Sequence, residues 1–276
     1  MVCWARHFGF RCRARVGIPR ATVSSEAVLP AAAQMNGGAL TTTRDMLRLS
    51  ALQSLVVGFA ESLGGSLVVG GSYAVSLHMR HAARLPNDLD FITDDPLLVP
   101  LFLRECDRLS AIEFPAERVA LFSGEIQSVE KMVAVVDGDR PNQLIDLIAC
   151  HLALVARHEI KEQRMHLGGG VVSVVEFSLL LANKLHALWK VRTTGVVSTR
   201  VRDLYDLARV WSTGEYEDEL QAAASLAAGM GSPRDPLGSY PREWIPAWRD
   251  LNRASGTTFS IDEVWRELER FAREVP

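Results

Sequence analysis

Apolar residues recur at every fourth position from Leu47 through Ala51 and Leu55 to Phe59, the spacing of one buried helix face. The stripe predicts an amphipathic helix that opens at Thr42, where Thr42 and Asp45 form a capping-box-like start, and ends near Gly64-Gly65. Ser66 to Val69 is a continuous apolar run that stops at Gly70-Gly71, as a buried strand does on entering a tight turn. Residues 73 to 82 read as a helix broken by Pro86-Asn87. Asp88-Leu89-Asp90-Phe91-Ile92 then alternates with the period of two of a half-buried strand. Pro96 opens a helix to about residue 109, Met132–Val136 and Gln143–Ile148 form a strand hairpin around Asp137-Gly138-Asp139, and Val171–Val175 is a further strand. From Glu176 the pattern is helical over 176–192, 200–212, 216–228 and 261–274, the last capped by Ser260 with Glu263. Pro233, Pro236, Pro241 and Pro246 mark an irregular stretch between them. The expected fold is mixed α/β (α+β): a mixed sheet domain over 42–175, followed by a helical region over 176–276.

The 276 residues, 48% of them apolar, are enough to bury a full core. Cys3, Cys12, Cys106 and Cys150 are scattered, with no C-x-x-C pair, which suggests a reduced, cytoplasmic protein. The apolar runs are too short for a membrane span. The net charge of −3 gives no global attraction to nucleic acid. Residues 1–41 carry Arg6, Arg11, Arg13, Arg15 and Arg20 against Glu26, without periodicity, and read as a disordered basic extension. An Arg-rich transit peptide, or a true start at Met35 or Met46, fits the same stretch.

Three features bear on chemistry. Asp88 and Asp90, two apart on a strand, project to one face, where their mutual repulsion invites a divalent cation. An all-oxygen donor set favours magnesium or manganese. Alone, such a pair is more often a solvated loop feature. Gly70-Gly71-Ser72 lies at a strand-to-helix junction, where backbone N–H groups and the helix dipole suit a phosphate; alone, it is an ordinary turn. Joined by a helix of fitting length, the two motifs make a triphosphate cradle facing a metal pair. Asp146 interrupts the apolar Leu144–Ile148 run and is either a third metal ligand or an edge-strand acid facing water. Lys184, one of only four lysines, lies in a strongly apolar helix, and Asp203 and Asp206 share a face of the next, so a lysine–aspartate pair between the helices is possible. Lys184, Lys190, Arg192, Arg200, Arg202 and Arg209 against Asp203 and Asp206 make a locally basic segment, read either as a phosphate-backbone contact or as a solvated helix face.

Gly70-Gly71-Ser72, Arg84 with Asp88-Leu89-Asp90-Phe91, Ala182-Asn183-Lys184-Leu185-His186-Ala187 and Arg202-Asp203-Leu204-Tyr205-Asp206-Leu207 together resemble the AbiEii family of nucleotidyltransferases. These are toxins of type IV toxin–antitoxin and abortive-infection systems, the MenT toxins among them, and the resemblance spans about residues 45–212. Pro86 stands where the family often has a serine or threonine. The resemblance implies a nucleotidyltransferase-like sheet domain whose helical region completes the site. It implies that Gly70, Gly71 and Ser72 hold the nucleotide phosphates, that Asp88 and Asp90 hold metal, that Lys184 meets the triphosphate and that Asp203 completes the catalytic set. It further implies an NTP donor, Mg2+ (or Mn2+), a tRNA 3′ end as acceptor and a cognate antitoxin protein. A small-molecule nucleotidyltransferase of the aminoglycoside-modifying kind and a non-catalytic nucleotide-binding protein are the alternatives. The last helix carries Ile261, Val264, Leu268, Phe271 and Val275 on one stripe, a core-packing face or else a partner contact.

Overall fold

In a computed structural model that describes residues 43–79, 85–112, 117–137, 143–190, 200–230 and 239–274, the Val68-Val69-Gly70 run forms strand β1, fully buried along its length. It pairs antiparallel with β2 (Asp88–Thr93) and parallel with β7 (Gly170–Val175). Between β1 and β2 lies α2 (Gly71–His78), and ahead of β1 lies α1 (Thr43–Leu63). After β2 come α3 (Leu98–Leu109), β3 (Glu117–Phe122), β4 (Glu125–Val136), β5 (Leu144–Leu154) and β6 (Glu162–Leu167). The sheet is seven-stranded and mixed, in the order β3-β4-β5-β2-β1-β7-β6, with β2 and β5 parallel. Beyond β7 the chain is helical: α4 (Phe177–Lys190), α5 (Val201–Thr213), α6 (Glu217–Gly229), α7 (Trp244–Ser255) and α8 (Ile261–Glu274). The basic extension, Thr42, Arg84, the 138–142 turn, Arg192 and Val275 lie outside the described residues.

The period-two pattern of β2 decides which side of the sheet is core. Leu89 and Phe91 point to one face and are buried, while Asp88, Asp90 and Ile92 are half-buried on the other. On the core face Phe91 meets Phe59 of α1 and Phe102 of α3, with ring centroids 4.9 and 5.8 Å away, and Phe59 stacks on Phe102 at 5.1 Å. Helices α1 and α3 therefore close that face. One apolar core runs from Leu49 to Leu268, so the carboxy-terminal helices pack with the sheet as a unit. In α8 the stripe faces inward, Leu268 being fully buried, and Ser260 Oγ accepts the Glu263 N–H at 3.4 Å.

Several elements differ from expectation. Helix α2 starts at Gly71 and ends at His78, because Met79 turns extended (φ −89°, ψ 92°) to bury its side chain. Strands β3 and β6 were not anticipated: both are sheet edges with little buried surface, so neither carries the apolar alternation that marks a half-buried strand. Helix α7 was masked by Pro246, which sits in its first turn, where the missing N–H removes no intrahelical bond. No helix of the described residues is long and apolar enough to cross a membrane.

Phe102→Ala removes the ring that both other phenylalanines touch, and it should lower unfolding stability in a denaturant titration by about 3–5 kcal/mol. A loss under about 1 kcal/mol would contradict the packing described.

Candidate active site

The turn after β1 and the strand β2 meet because Gly70 is the register partner of Asp90. Gly71 then takes a positive φ of 61°, and a Cβ placed there would lie 2.7 Å from the Cγ of Asp90 and nearer still to its Oδ2. Only glycine leaves room for that carboxylate. The turn thus sets the position of Asp90 as well as opening the N-terminus of α2. Gly70 is the residue at the N-cap, without a side-chain cap, and Ser72 is already inside the helix. Its hydroxyl donates to Asp206 Oδ2 at 3.0 Å.

The helical region supplies the other half of the site. Lys184 of α4 is buried, and its Nζ donates to Asp203 Oδ1 at 2.8 Å, to Asp206 Oδ2 at 2.9 Å and to Ser72 Oγ at 3.5 Å. The expected lysine–aspartate pair is thus a cluster, with Arg200 Nη1 adding a contact to Asp203 Oδ2 at 3.2 Å. Burial alone would lower the Lys184 pKa, but the Asp203 and Asp206 carboxylates outweigh it and hold the ammonium above its ordinary value. Asn87, just before Asp88, turns its side-chain oxygen to both terminal nitrogens of Arg202, at 2.8 and 2.9 Å, tying the β2 entry to α5.

Burial first, and the neighbouring Asp88 carboxylate second, push the Asp90 carboxyl up to about 6 from an ordinary 3.8; His151 and Lys184 pull the other way. Two oxygen-donor carboxylates that resist joint ionisation fit a hard divalent cation such as magnesium. Among the described residues no group of three or more His, Cys, Asp or Glu side chains is arranged to hold a metal. Asp88 and Asp90 would therefore share the ion with phosphate oxygens and water, the usual arrangement for magnesium.

Asp146 is not brought to this pair. The residue of β5 opposite Asp90 is His151, and the one opposite Asp88 is Ala149. Asp146 lies an odd number of positions from both, so alternation turns it to the core face. There it pairs with Arg48 of α1 at 2.9 Å, and Arg48 also donates to the Pro86 carbonyl at 3.0 Å. The basic segment does not form one exposed patch either. Lys184 and Arg209 are buried, Arg200 faces Asp203, Arg202 faces Asn87, and the Lys190 side chain lies outside the described residues with Arg192. Missed altogether was His151, whose Nδ1 is 3.3 Å from Glu130 Oε2 of β4. It lies in the half of β5 beyond the predicted strand end, so no alternation pointed to it.

Residues 55–274 match the family described as nucleotidyl transferase AbiEii toxin, type IV TA system. No curated protein matches the chain. Among solved structures, the chain is similar to an antigenic nucleotidyltransferase-like protein from Paracoccidioides brasiliensis, with 12% identity and a TM-score of 0.36 over 83% of this chain and 98% of that one.

Two outcomes follow from the site. In metal-free protein, carbon-detected NMR should place the Asp90 titration near 6, and Asp88→Asn should move it down. Because that folded-state value is raised, the stability tied to the protonated carboxyl is fully present below about 4 and is lost as pH rises through about 6. Lys184→Met takes the buried ammonium away from both carboxylates and leaves Asp203 with Arg200, so urea unfolding should show a loss of about 3–5 kcal/mol; an unchanged midpoint would count against the cluster.

Proposed function

We propose, for a chain that belongs to the AbiEii family of nucleotidyl transferase toxins of type IV toxin–antitoxin systems, a magnesium-assisted transfer of NMP from an NTP to the 3′ hydroxyl of tRNA. The observation that carries this reading is the convergence of four elements on one face: Ser72 at the start of α2, the Asp88 and Asp90 pair on β2, Lys184 on α4 and Asp203 on α5.

In this reading the N-terminus of α2 receives the β- and γ-phosphates, and the Ser72 hydroxyl turns from Asp206 to donate to them. The three Nζ hydrogens of Lys184 already have three acceptors, the longest contact being that to Ser72. A phosphate oxygen would take that third position, while Asp203 and Asp206 keep the ammonium aimed at it. Asp88 and Asp90 would hold a magnesium ion beside the α-phosphate, and the ion when bound would supply Lewis-acid stabilisation of the developing charge. The acceptor oxygen bonds to the α-phosphorus, the bond to the β-phosphate oxygen breaks, pyrophosphate leaves on the Ser72 side, and the hydroxyl proton passes to water. The family resemblance supports tRNA as acceptor, and the type IV toxin–antitoxin description supports a cognate antitoxin protein as partner.

The test uses each α-labelled triphosphate with total tRNA, and an aminoglycoside panel beside it. Label should enter RNA, disappear on chelation of divalent cations, and fall by a factor of roughly 100 or more in folded Asp88→Asn and Asp90→Asn proteins. Wild-type rates in either variant would remove the site assignment, and label on an aminoglycoside in place of RNA would remove the acceptor.

A further inference from the structure

Four side chains stand in a row across the sheet. Arg118 of β3 is in register with Glu130 of β4, Glu130 with His151 of β5, and His151 with Asp90 of β2. Directly opposed residues of neighbouring strands project to one face, so the row lies on the side that carries Asp88 and Asp90. Arg118 Nη1 is 3.7 Å from Glu130 Oε1, Glu130 Oε2 is 3.3 Å from His151 Nδ1, and His151 interacts electrostatically with Asp90. Side-chain exposure rises outward from 13% at His151 through 25% at Glu130 to 67% at Arg118, so the row opens from the carboxylates to solvent at the sheet edge. Helices α1 and α3 pack on the other face of these strands.

In a phosphoryl displacement the attacking and leaving oxygens lie on opposite sides of phosphorus. Ser72 and Lys184 approach Asp90 from the β1 side, and His151 stands on the β5 side. Resting on the transfer reaction proposed above, we infer that His151, Glu130 and Arg118 form the acceptor subsite, built for a hydroxyl on a phosphate-linked sugar chain. His151 hydrogen-bonds the attacking hydroxyl and aligns it with the α-phosphorus. Glu130 holds the imidazole from the Nδ1 side and is a positioning residue. Arg118, two strand spacings or roughly 10 Å further out, meets a phosphate along the acceptor.

The experiment compares wild type, H151A, H151Q and R118A in steady-state transfer to total tRNA, with triphosphate affinity measured separately by equilibrium binding. H151A should lower kcat/KM for the acceptor at least tenfold while triphosphate Kd changes less than twofold, and H151Q, which still hydrogen-bonds, should recover part of the loss. R118A should raise acceptor KM several-fold at unchanged kcat and reduce the salt slope of log KM by about one. H151A at the wild-type rate, H151A with triphosphate affinity falling in step with rate, or R118A without effect on acceptor KM each overturns the subsite. R118A alters an exposed side chain, so it decides the matter even if position 151 tolerates no change. A wild-type protein that binds triphosphate but labels no RNA removes the underlying transfer reading, an outcome distinct from labelling that is indifferent to positions 151 and 118.

Discussion

The Lys184 ammonium lies out of water between helices, in a place where an unpaired cation would cost several kcal/mol. Its partners come from two different elements: Asp203 and Asp206 from α5, and Ser72 from α2. Satisfying the charge therefore fixes α2, α4 and α5 relative to one another. Because α2 begins at the turn that houses Asp90, it also fixes the helical region against the acidic face of the sheet. The cluster leaves an imbalance, since Asp88, Asp90, Asp203 and Asp206 outnumber Lys184 and Arg200. Surplus negative charge at an open face is an electrostatic setting in which a divalent cation and the phosphates it carries are welcome, and triphosphate alone is less so.

The parts of this site that the sequence made legible are those whose geometry is local. Alternation over five residues places Asp88 and Asp90 on one side of β2. A glycine pair after an apolar run marks the turn, and a lysine in an apolar helix calls for a buried partner. What resisted reading depends on long-range pairing. Whether Asp146 or His151 faces the Asp pair is decided by the β2–β5 register, and a one-residue difference in parity sends a side chain to the opposite face. An irregularity in the β4–β5 pairing next to Asp146 adds to the ambiguity. The segment 184–209 illustrates the same limit for helices. Its charges sum to a basic stretch along the chain, but Lys184 and Arg209 turn inward and Arg200 and Arg202 are engaged by Asp203 and Asn87. Edge strands β3 and β6 escaped detection because the core demands little of their side chains.

The sheet divides the labour of the site between its strands. Short β1 delivers the Gly70-Gly71-Ser72 turn, β2 the carboxylates, and the longer β4 and β5 lie between the acidic pair and the β3 edge. Core packing of Phe59, Phe91 and Phe102 stands directly behind Asp90, so the carboxylate is backed by three aromatic rings on the strand's reverse side. Rigidity on one face and access on the other both follow from the same alternation.

Gly71 and Asp90 occupy what is in effect one volume: the space a side chain would need at 71 is filled by the carboxylate at 90. The two positions are consequently not free to drift separately. A descendant that abandoned the acidic group at 90 would lift much of the steric restriction at 71, leaving only the cost of its left-handed backbone, whereas a descendant that keeps the acid must keep the glycine. Among relatives that share this turn, a residue larger than glycine at position 71 would therefore mark a protein that has given up the acid at 90, legible without any assay.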